Sequence, residues 1–207
     1  MVGRGLETKT DLELVGIVQG GDRRAFSELV KRHQRGLLRL SLRFMKDLSL
    51  AEDVVQESFI KAYEKLAGFE GRSAFKSWLY QIAVNTARNK IREFRRETTD
   101  IDKVHLAVDA VAETTLVHGS IADLLQKEVE KLPFRQRTAL VLRVYEDLSF
   151  NEIAHIMECP YDTAKANYRH ALMKLRETFE KRQELKSWTA DVGGFWSEMN
   201  QYVEAEG

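Results

Sequence analysis

The sequence predicts an all-α protein with two helical domains, an N-terminal helical bundle and a C-terminal helix-turn-helix domain, joined by a flexible acidic linker. Three observations support this fold class. The chain of 207 residues contains only two prolines, and it is rich in Leu, Glu, Lys, Arg and Ala, which favour helices. Apolar residues recur with the helical period. Residues that commonly start helices precede these amphipathic segments.

The first domain, residues 10–96, contains four predicted helices. Their expected first or capping residues are Asp11, Asp22, Ser49 and Ser73. Glu52 follows Ser49 at the spacing of a capping box, in which each side chain binds the other residue's backbone N–H. The fourth helix has an apolar stripe at i, i+3, i+4 spacing, formed by Leu79, Ile82, Ala83, Thr86, Ala87, Ile91 and Phe94.

A second helical domain, residues 120–182, follows a polar and mostly acidic linker, residues 97–119. Its expected helix starts are Ser120, Pro133, Ser149, and Tyr161 or Asp162. Residues 149–176 read as helix, short turn and helix, the pattern of a helix-turn-helix whose second helix enters the DNA major groove. The aromatic tail, residues 183–207, has no role that the sequence assigns.

Charge is balanced over the whole chain but polarised along it. There are 32 basic and 32 acidic residues. Residues 72–96 nevertheless carry a net charge of +6 and residues 160–182 a net charge of +3, whereas residues 97–120 carry −4. Two basic stretches of this kind favour a polyanionic partner such as a nucleic acid.

Several function classes are not supported by the sequence. No nucleophile–base pair, phosphate-binding Gly loop or cluster of metal ligands occurs, so we expect neither an enzyme nor a cofactor. The single cysteine, Cys159, excludes an intramolecular disulfide, and we interpret it as a turn-filling apolar residue rather than a redox switch. No apolar run approaches a membrane span and the N-terminus lacks a signal-peptide core, so a cytoplasmic protein without membrane insertion is expected.

The basic stretch of the first domain has the chemistry of a DNA-binding helix face. Asn85, Arg88, Asn89 and Arg92 share the polar face opposite the apolar stripe. Guanidinium groups bind phosphates, and amides both donate to and accept from base edges. Trp78, at the start of this helix, is interpreted as a core residue rather than a base-stacking platform.

Four stretches resemble the extracytoplasmic-function (ECF) alternative sigma factors, initiation subunits of bacterial RNA polymerase. They are Asp53–Tyr63 (DVVQESFIKAY), Ser77–Asn89 (SWLYQIAVNTARN), Leu132–Leu140 (LPFRQRTAL), and Leu148–Ala154 (LSFNEIA) with Thr163–Arg176 (TAKANYRHALMKLR). The resemblance covers roughly residues 10–96 and 120–180, and the four motifs in this order are highly specific. It implies a sigma region 2-like domain, a region 4-like domain, and promoter-directed transcription initiation under stress or envelope signals.

The resemblance also implies three contact surfaces. The first stretch would lie against the clamp helices of the largest polymerase subunit, with Val54, Val55, Phe59 and Ile60 in the core, and Asp53, Gln56, Glu57, Lys61 and Tyr63 facing the polymerase. The second stretch and the loop before it would recognise and open the −10 element, through Phe69, Arg72, Phe75, Lys76, Asn85, Arg88, Asn89 and Arg92. Phe69 or Phe75 would wall a pocket for a flipped base.

The last stretch would read the −35 element through Lys165, Asn167, Tyr168, Arg169, His170 and Lys174, with Ala164, Ala171, Leu172 and Leu175 facing the core. Ala164 stands where the family usually has Val, and Ala166 where Ser or Thr is common. The latter change removes a hydroxyl that is able to contact a phosphate, so a relative's promoter sequence should not be transferred to this chain.

The expected partners are core RNA polymerase, through its clamp helices and flap region, promoter DNA and an anti-sigma factor. We expect the free chain to be a monomer that binds DNA weakly, because the polymerase must hold the two modules at the right spacing. One alternative is a stand-alone helix-turn-helix regulator that uses residues 1–96 as a sensor or dimerisation domain. A second is an RNA-binding protein or nucleic-acid enzyme.

Overall fold

The structure, a computed structural model, describes residues 5–100 and 121–181. Every regular element in these two ranges is a helix, which confirms the all-α fold class. The chain divides into two compact units, each of which contains one of the two described ranges. None of the helices in the described ranges is long and apolar enough to cross a lipid bilayer.

The N-terminal unit is a bundle of four α-helices. Its elements are α1 (Asp11–Gln19), α2 (Arg24–Met45), α3 (Leu48–Lys65), a 3₁₀ turn (Leu66–Gly68) and α4 (Phe75–Asp100). Helix α2 packs against α1, α3 and α4, and α3 also packs against α4. Buried apolar side chains join these helices, among them Leu14, Leu29, Leu37, Leu40, Phe44, Val54, Phe59, Leu79, Tyr80 and Ala83.

Helix α1 begins at Asp11 as predicted, with Thr10 and Glu13 forming a capping box. The second predicted start is wrong by one residue, because Arg23 occupies the cap position of α2. Asp22 still binds this terminus, since its carboxylate accepts the backbone N–H of Arg24 at 3.0 Å.

The predicted capping box at Ser49 is wrong. Asp47 caps α3 instead, and its Oδ1 accepts the backbone N–H of Leu50 at 2.8 Å. The reason lies one residue earlier, where Lys46 ends α2 in the left-handed conformation (φ 61°). The chain has therefore already turned at Asp47, whose extended backbone lets its carboxylate reach the first turn and leaves Ser49 inside the helix.

Helix α4 differs from its prediction at both ends. It begins at Phe75, one residue later than a Ser73 cap would place it, and it continues to Asp100. The predicted linker, residues 97–119, is therefore partly helical at its start, and the remainder of it lies outside the described residues, as does the tail. The apolar stripe is buried through Ala87, whereas Phe94 is exposed.

The C-terminal unit contains α5 (Ile121–Lys131), α6 (Phe134–Glu146), α7 (Phe150–Ile156) and α8 (Tyr161–Lys181). Helix α8 packs against the other three. The capping box of Ser149 and Glu152 is confirmed. Glu158, in the left-handed conformation (φ 50°), reverses the chain between α7 and α8. Among the described residues, one face of α8 is left uncovered along its length.

Candidate nucleic-acid interface

The uncovered face of α8 carries most of the residues predicted to read DNA. Arg169, His170 and Lys174 are exposed, and Lys165 and Asn167 are half-buried. Asn167 donates a hydrogen bond from Nδ2 to the carbonyl oxygen of Thr163 at 2.8 Å, which orients its amide while leaving the oxygen available to a donor. The face thus combines cations with an oriented amide, as base and phosphate contacts require.

The prediction that Tyr168 faces the groove is wrong. Its side chain is 4% exposed, and its ring packs edge-on against Phe150 of α7, with 5.5 Å between the ring centroids. This burial raises the pKa of the Tyr168 hydroxyl. The residue therefore joins the two helices of the helix-turn-helix instead of contacting DNA.

Two apolar residues share the uncovered face, of which Ala166 was considered from the sequence only for its missing hydroxyl and Met173 was not considered. Ala166 is exposed and Met173 is 49% exposed. Their spacing from Arg169 and His170, three or four residues, was the available signal, because such residues lie on one helix face. An exposed apolar group on this face is suited to contact a thymine methyl.

Cys159 lies in the turn between α7 and α8, where it is half-buried. Its backbone N–H binds the carbonyl oxygen of Ala154 at 3.0 Å. Burial raises the pKa of its thiol, which disfavours the reactive thiolate. The turn-filling interpretation therefore agrees with the structure.

The polar face of α4 is partly exposed, with its arginines more accessible than its asparagines. Arg88 and Arg92 are exposed, and Asn85 and Asn89, one turn apart, are half-buried. Arg72, in the loop before α4, is also exposed and pairs with Glu70. Lys76 is half-buried, with its ammonium 5.1 Å from the centroid of the Tyr80 ring.

The two phenylalanines predicted to wall a base pocket are buried in a closed aromatic cluster. Phe69 is 8% exposed and Phe75 is 1% exposed. The Phe69 ring lies 4.9 Å from that of half-buried Trp78 and 6.1 Å from that of Phe75. In this conformation neither phenylalanine offers a free ring face to a base, because the rings pack against one another. Trp78 packs on this cluster but is only half-buried, so it lies at the edge of the core rather than inside it.

The stretch of α3 that was predicted to face the polymerase is a charged network bounded by apolar side chains. Glu57 pairs with Lys61 on its own helix and with Lys90 of α4 at 3.5 Å, and Lys90 also lies 3.9 Å from Asp53. The hydrogen bond from Lys61 is the main cause of the lowered pKa of Glu57. Lys90 is thus directed toward α3 and away from the amide-bearing face of α4.

The prediction that Ile60 lies in the core is wrong, because it is 59% exposed. Tyr63, one turn further along α3, is 38% exposed and packs edge-on against Phe26 of α2 at 5.0 Å between ring centroids. Gln56, one turn before Ile60, is exposed as well. These three residues form one row along α3. Their spacing of four and three positions is that of residues on one helix face, which a partner helix or groove is able to contact.

Comparisons with known proteins identify both units. Residues 29–97 match the family Sigma-70 region 2, and residues 122–175 match Sigma-70, region 4. The RNA polymerase sigma-H factor of Pseudomonas aeruginosa is 38% identical over 187 residues, which cover 85% of this chain and 95% of that protein. The ECF RNA polymerase sigma-E factor of Escherichia coli K12 is 36% identical over 187 residues, with the same shares covered.

A solved structure shows the same fold. The sigma factor RpoE from Bartonella quintana, in complex with the anti-sigma factor NepR, is 28% identical with a TM-score of 0.61, covering 76% of this chain and 98% of that one. Together with the basic helix exposed in each unit, these matches define a non-catalytic promoter-recognition subunit of bacterial RNA polymerase. The chain belongs to the ECF family of RNA polymerase sigma factors, which act in transcription initiation by binding core polymerase and promoter DNA.

Proposed function

We propose that the N-terminal unit, corresponding to residues 10–96, recognises and opens the −10 promoter element, and that the C-terminal unit, residues 120–182, binds the −35 element. The observation that carries this proposal is the exposure of one polar helix face in each unit, on α4 and on α8. Both faces combine exposed Arg side chains with half-buried Asn side chains, among the residues that the structure describes.

At the −10 element, the exposed residues of α4 and its preceding loop make the contacts. Arg72, Arg88 and Arg92 bind phosphates, and Asn85 and Asn89 bind base edges. Lys76 adds a half-buried cation beside them. Phe69 and Phe75 act beneath this surface, because their buried rings fix the loop rather than stack on a base.

At the −35 element, α8 lies in the major groove. Arg169 contacts a base, since arginine binds guanine in a bidentate manner, and Asn167 contacts adenine through its free oxygen and remaining N–H. Lys165, His170 and Lys174 supply phosphate contacts. Tyr168 is buried on the opposite side of α8 and stabilises the position of this helix.

Core polymerase binds the row of Gln56, Ile60 and Tyr63 on α3, flanked by the paired charges of Asp53, Glu57 and Lys61. An apolar centre with a charged rim has the anatomy of a protein–protein interface. The solved Bartonella structure contains an anti-sigma factor, and a relative from Haemophilus influenzae is an ECF RNA polymerase sigma-E factor. We therefore also propose that an anti-sigma factor holds this chain inactive until a stress or envelope signal releases it.

The three surfaces can be separated by substitutions at exposed positions. Ile60→Asp should abolish binding to core polymerase, whereas Leu48→Asp, at an equally exposed leucine of α3 (56% exposed), should leave binding intact. Binding is measured by gel filtration with purified core polymerase. Equal binding by both variants would contradict the placement of the polymerase contact.

For DNA, Arg169→Ala should reduce transcription from a promoter of this sigma factor by about 5- to 150-fold, the equivalent of ~1–3 kcal/mol. Binding to core polymerase should not change. Lys127→Ala, at an exposed position of α5, is the matched control and should transcribe normally. Unchanged promoter preference in the Arg169 variant would contradict the proposal that α8 recognises the −35 element.

A further inference from the structure

The side chain at the C-terminal end of helix α1 binds the segment between α3 and α4 by hydrogen bonds. Gln19 donates two hydrogen bonds from its Nε2 atom, to the main-chain carbonyl oxygens of Leu66 at 2.9 Å and Phe69 at 3.0 Å. These acceptors are 47 and 50 residues away in the chain. One amide group therefore ties the last turn of α1 to both ends of the 3₁₀ turn that leads into the loop.

The same face of α1 meets the loop at a second point. Gly71 has a positive φ of 71°, and a β-carbon at this position would lie 3.4 Å from Cδ2 of Leu12. Leu12 and Gln19 are seven residues apart, which places them on one face two turns from each other. The segment from Leu66 to Gly71 thus lies along α1.

Helix α1 is itself fixed to α2. Asp11 binds His33 at 2.7 Å and Arg32 at 3.1 Å. Arg32 also donates to the carbonyl oxygens of Leu6, Glu7 and Lys9 in the segment before α1. The His33 ring lies 5.4 Å from that of Phe75, at the far end of the loop. Gln19 therefore connects the loop to an anchored element.

We propose that Gln19 is a positioning residue for promoter opening. It holds the carbonyl oxygens of Leu66 and Phe69 so that residues 69–75 keep a fixed conformation at the start of α4 before DNA arrives. Ordering the loop in advance reduces the entropy cost of binding the −10 element. The inference rests on the proposed −10 function of this loop, and Gln19 acts through the main chain without contacting DNA or core polymerase.

Gln19→Met tests the proposal, because methionine keeps the length of the side chain and removes its donors. The full-length chain is assembled with core polymerase on a promoter mapped for the wild type, and opening is measured by permanganate reactivity of thymines in the −10 region. Opening should fall by about tenfold, as expected from the loss of two hydrogen bonds, while affinity for core polymerase stays unchanged. Gln19→Lys should restore opening, since an ammonium group is able to donate to both carbonyl oxygens.

Two sets of control substitutions distinguish a positioning role of Gln19 from effects of side-chain charge and of protein stability. Gln34→Met and Gln34→Lys make the same changes at an exposed glutamine of α2 and should have no effect on opening. Ala25→Gly weakens α2 inside the same unit and should reduce thermal stability without reducing opening. If Gln19→Met opens promoters as the wild type does, or if Ala25→Gly reduces opening as much as Gln19→Met does, the positioning role is refuted. If the wild-type holoenzyme opens no promoter, the proposed function itself fails.

Discussion

Gly36 lies where α2 approaches Tyr80 of α4, and replacing it tests how closely these helices pack. A β-carbon at Gly36 would lie 2.9 Å from the hydroxyl oxygen of Tyr80, inside van der Waals contact. Tyr80 is 1% exposed, so its ring is not free to move into solvent. Alanine is favoured over glycine within a helix by about 1 kcal/mol, whereas overpacking a core costs about 1–3 kcal/mol.

Gly36→Ala should therefore lower the free energy of unfolding of the N-terminal unit by about 1 kcal/mol, the overpacking cost less the helix-propensity gain. Gly16→Ala is the matched control, because no atom lies within 4 Å of its added β-carbon. That variant should raise the free energy of unfolding by up to about 1 kcal/mol. The same substitution thus has opposite signs in two helices of one unit.

Urea unfolding followed by Trp78 fluorescence measures this effect, in a chain whose Trp188 and Trp196 are replaced by Phe so that only this unit reports. In a Tyr80→Phe background the clashing oxygen is absent, and Gly36→Ala should become stabilising. A Gly36→Ala variant as stable as Gly16→Ala in the wild-type background would refute the close α2–α4 contact.

Three further predictions follow from the site. Tyr168→Phe should leave −35 preference unchanged in transcription assays, whereas Tyr168→Ala should destabilise the C-terminal unit by about 3–5 kcal/mol in thermal melts. The lowered pKa of Glu57 stabilises the fold at neutral pH, and this contribution is lost as pH falls through that lowered pKa. The free energy of unfolding, measured by denaturant titrations at several acidic pH values, should accordingly depend less on pH in Glu57→Gln than in the wild type. Cys159→Ala should transcribe like the wild type with and without peroxide, and selective loss of peroxide sensitivity would indicate a redox role.

The sequence predicted the helices and their order well, because periodicity and capping signals are local. Two nearly identical motifs show that these local signals did not predict which residue caps a helix. Both Asp47–Glu52 and Asp147–Glu152 read Asp-Leu-Ser-x-x-Glu, yet Asp47 caps α3 whereas Ser149 caps α7. Asp and Ser are equally good N-caps, so the choice depends on where the preceding helix turns. Lys46 turns it before the first aspartate, and Asp147 itself turns it in the second case.

The locations of the site residues were predicted less accurately than the helices were, for a different physical reason. Amphipathic periodicity located the exposed faces of α4 and α8, but it does not show which helix packs against a given edge. Tyr168 was therefore assigned to DNA although Phe150 covers it, and Ile60 was assigned to the core although it is 59% exposed. The hydrogen bonds of Gln19, which span about half of the unit, had no local signal in the sequence.

In vitro transcription tests the central claim most directly. Core RNA polymerase is incubated with this chain on fragmented genomic DNA, and the 5′ ends of the transcripts are mapped. The account predicts starts that require the chain and share two upstream motifs at fixed spacing, with Arg169→Ala relaxing only the motif further from the start. Absence of chain-dependent starts, from both the full chain and a chain truncated after Arg182, would contradict it and favour a stand-alone regulator.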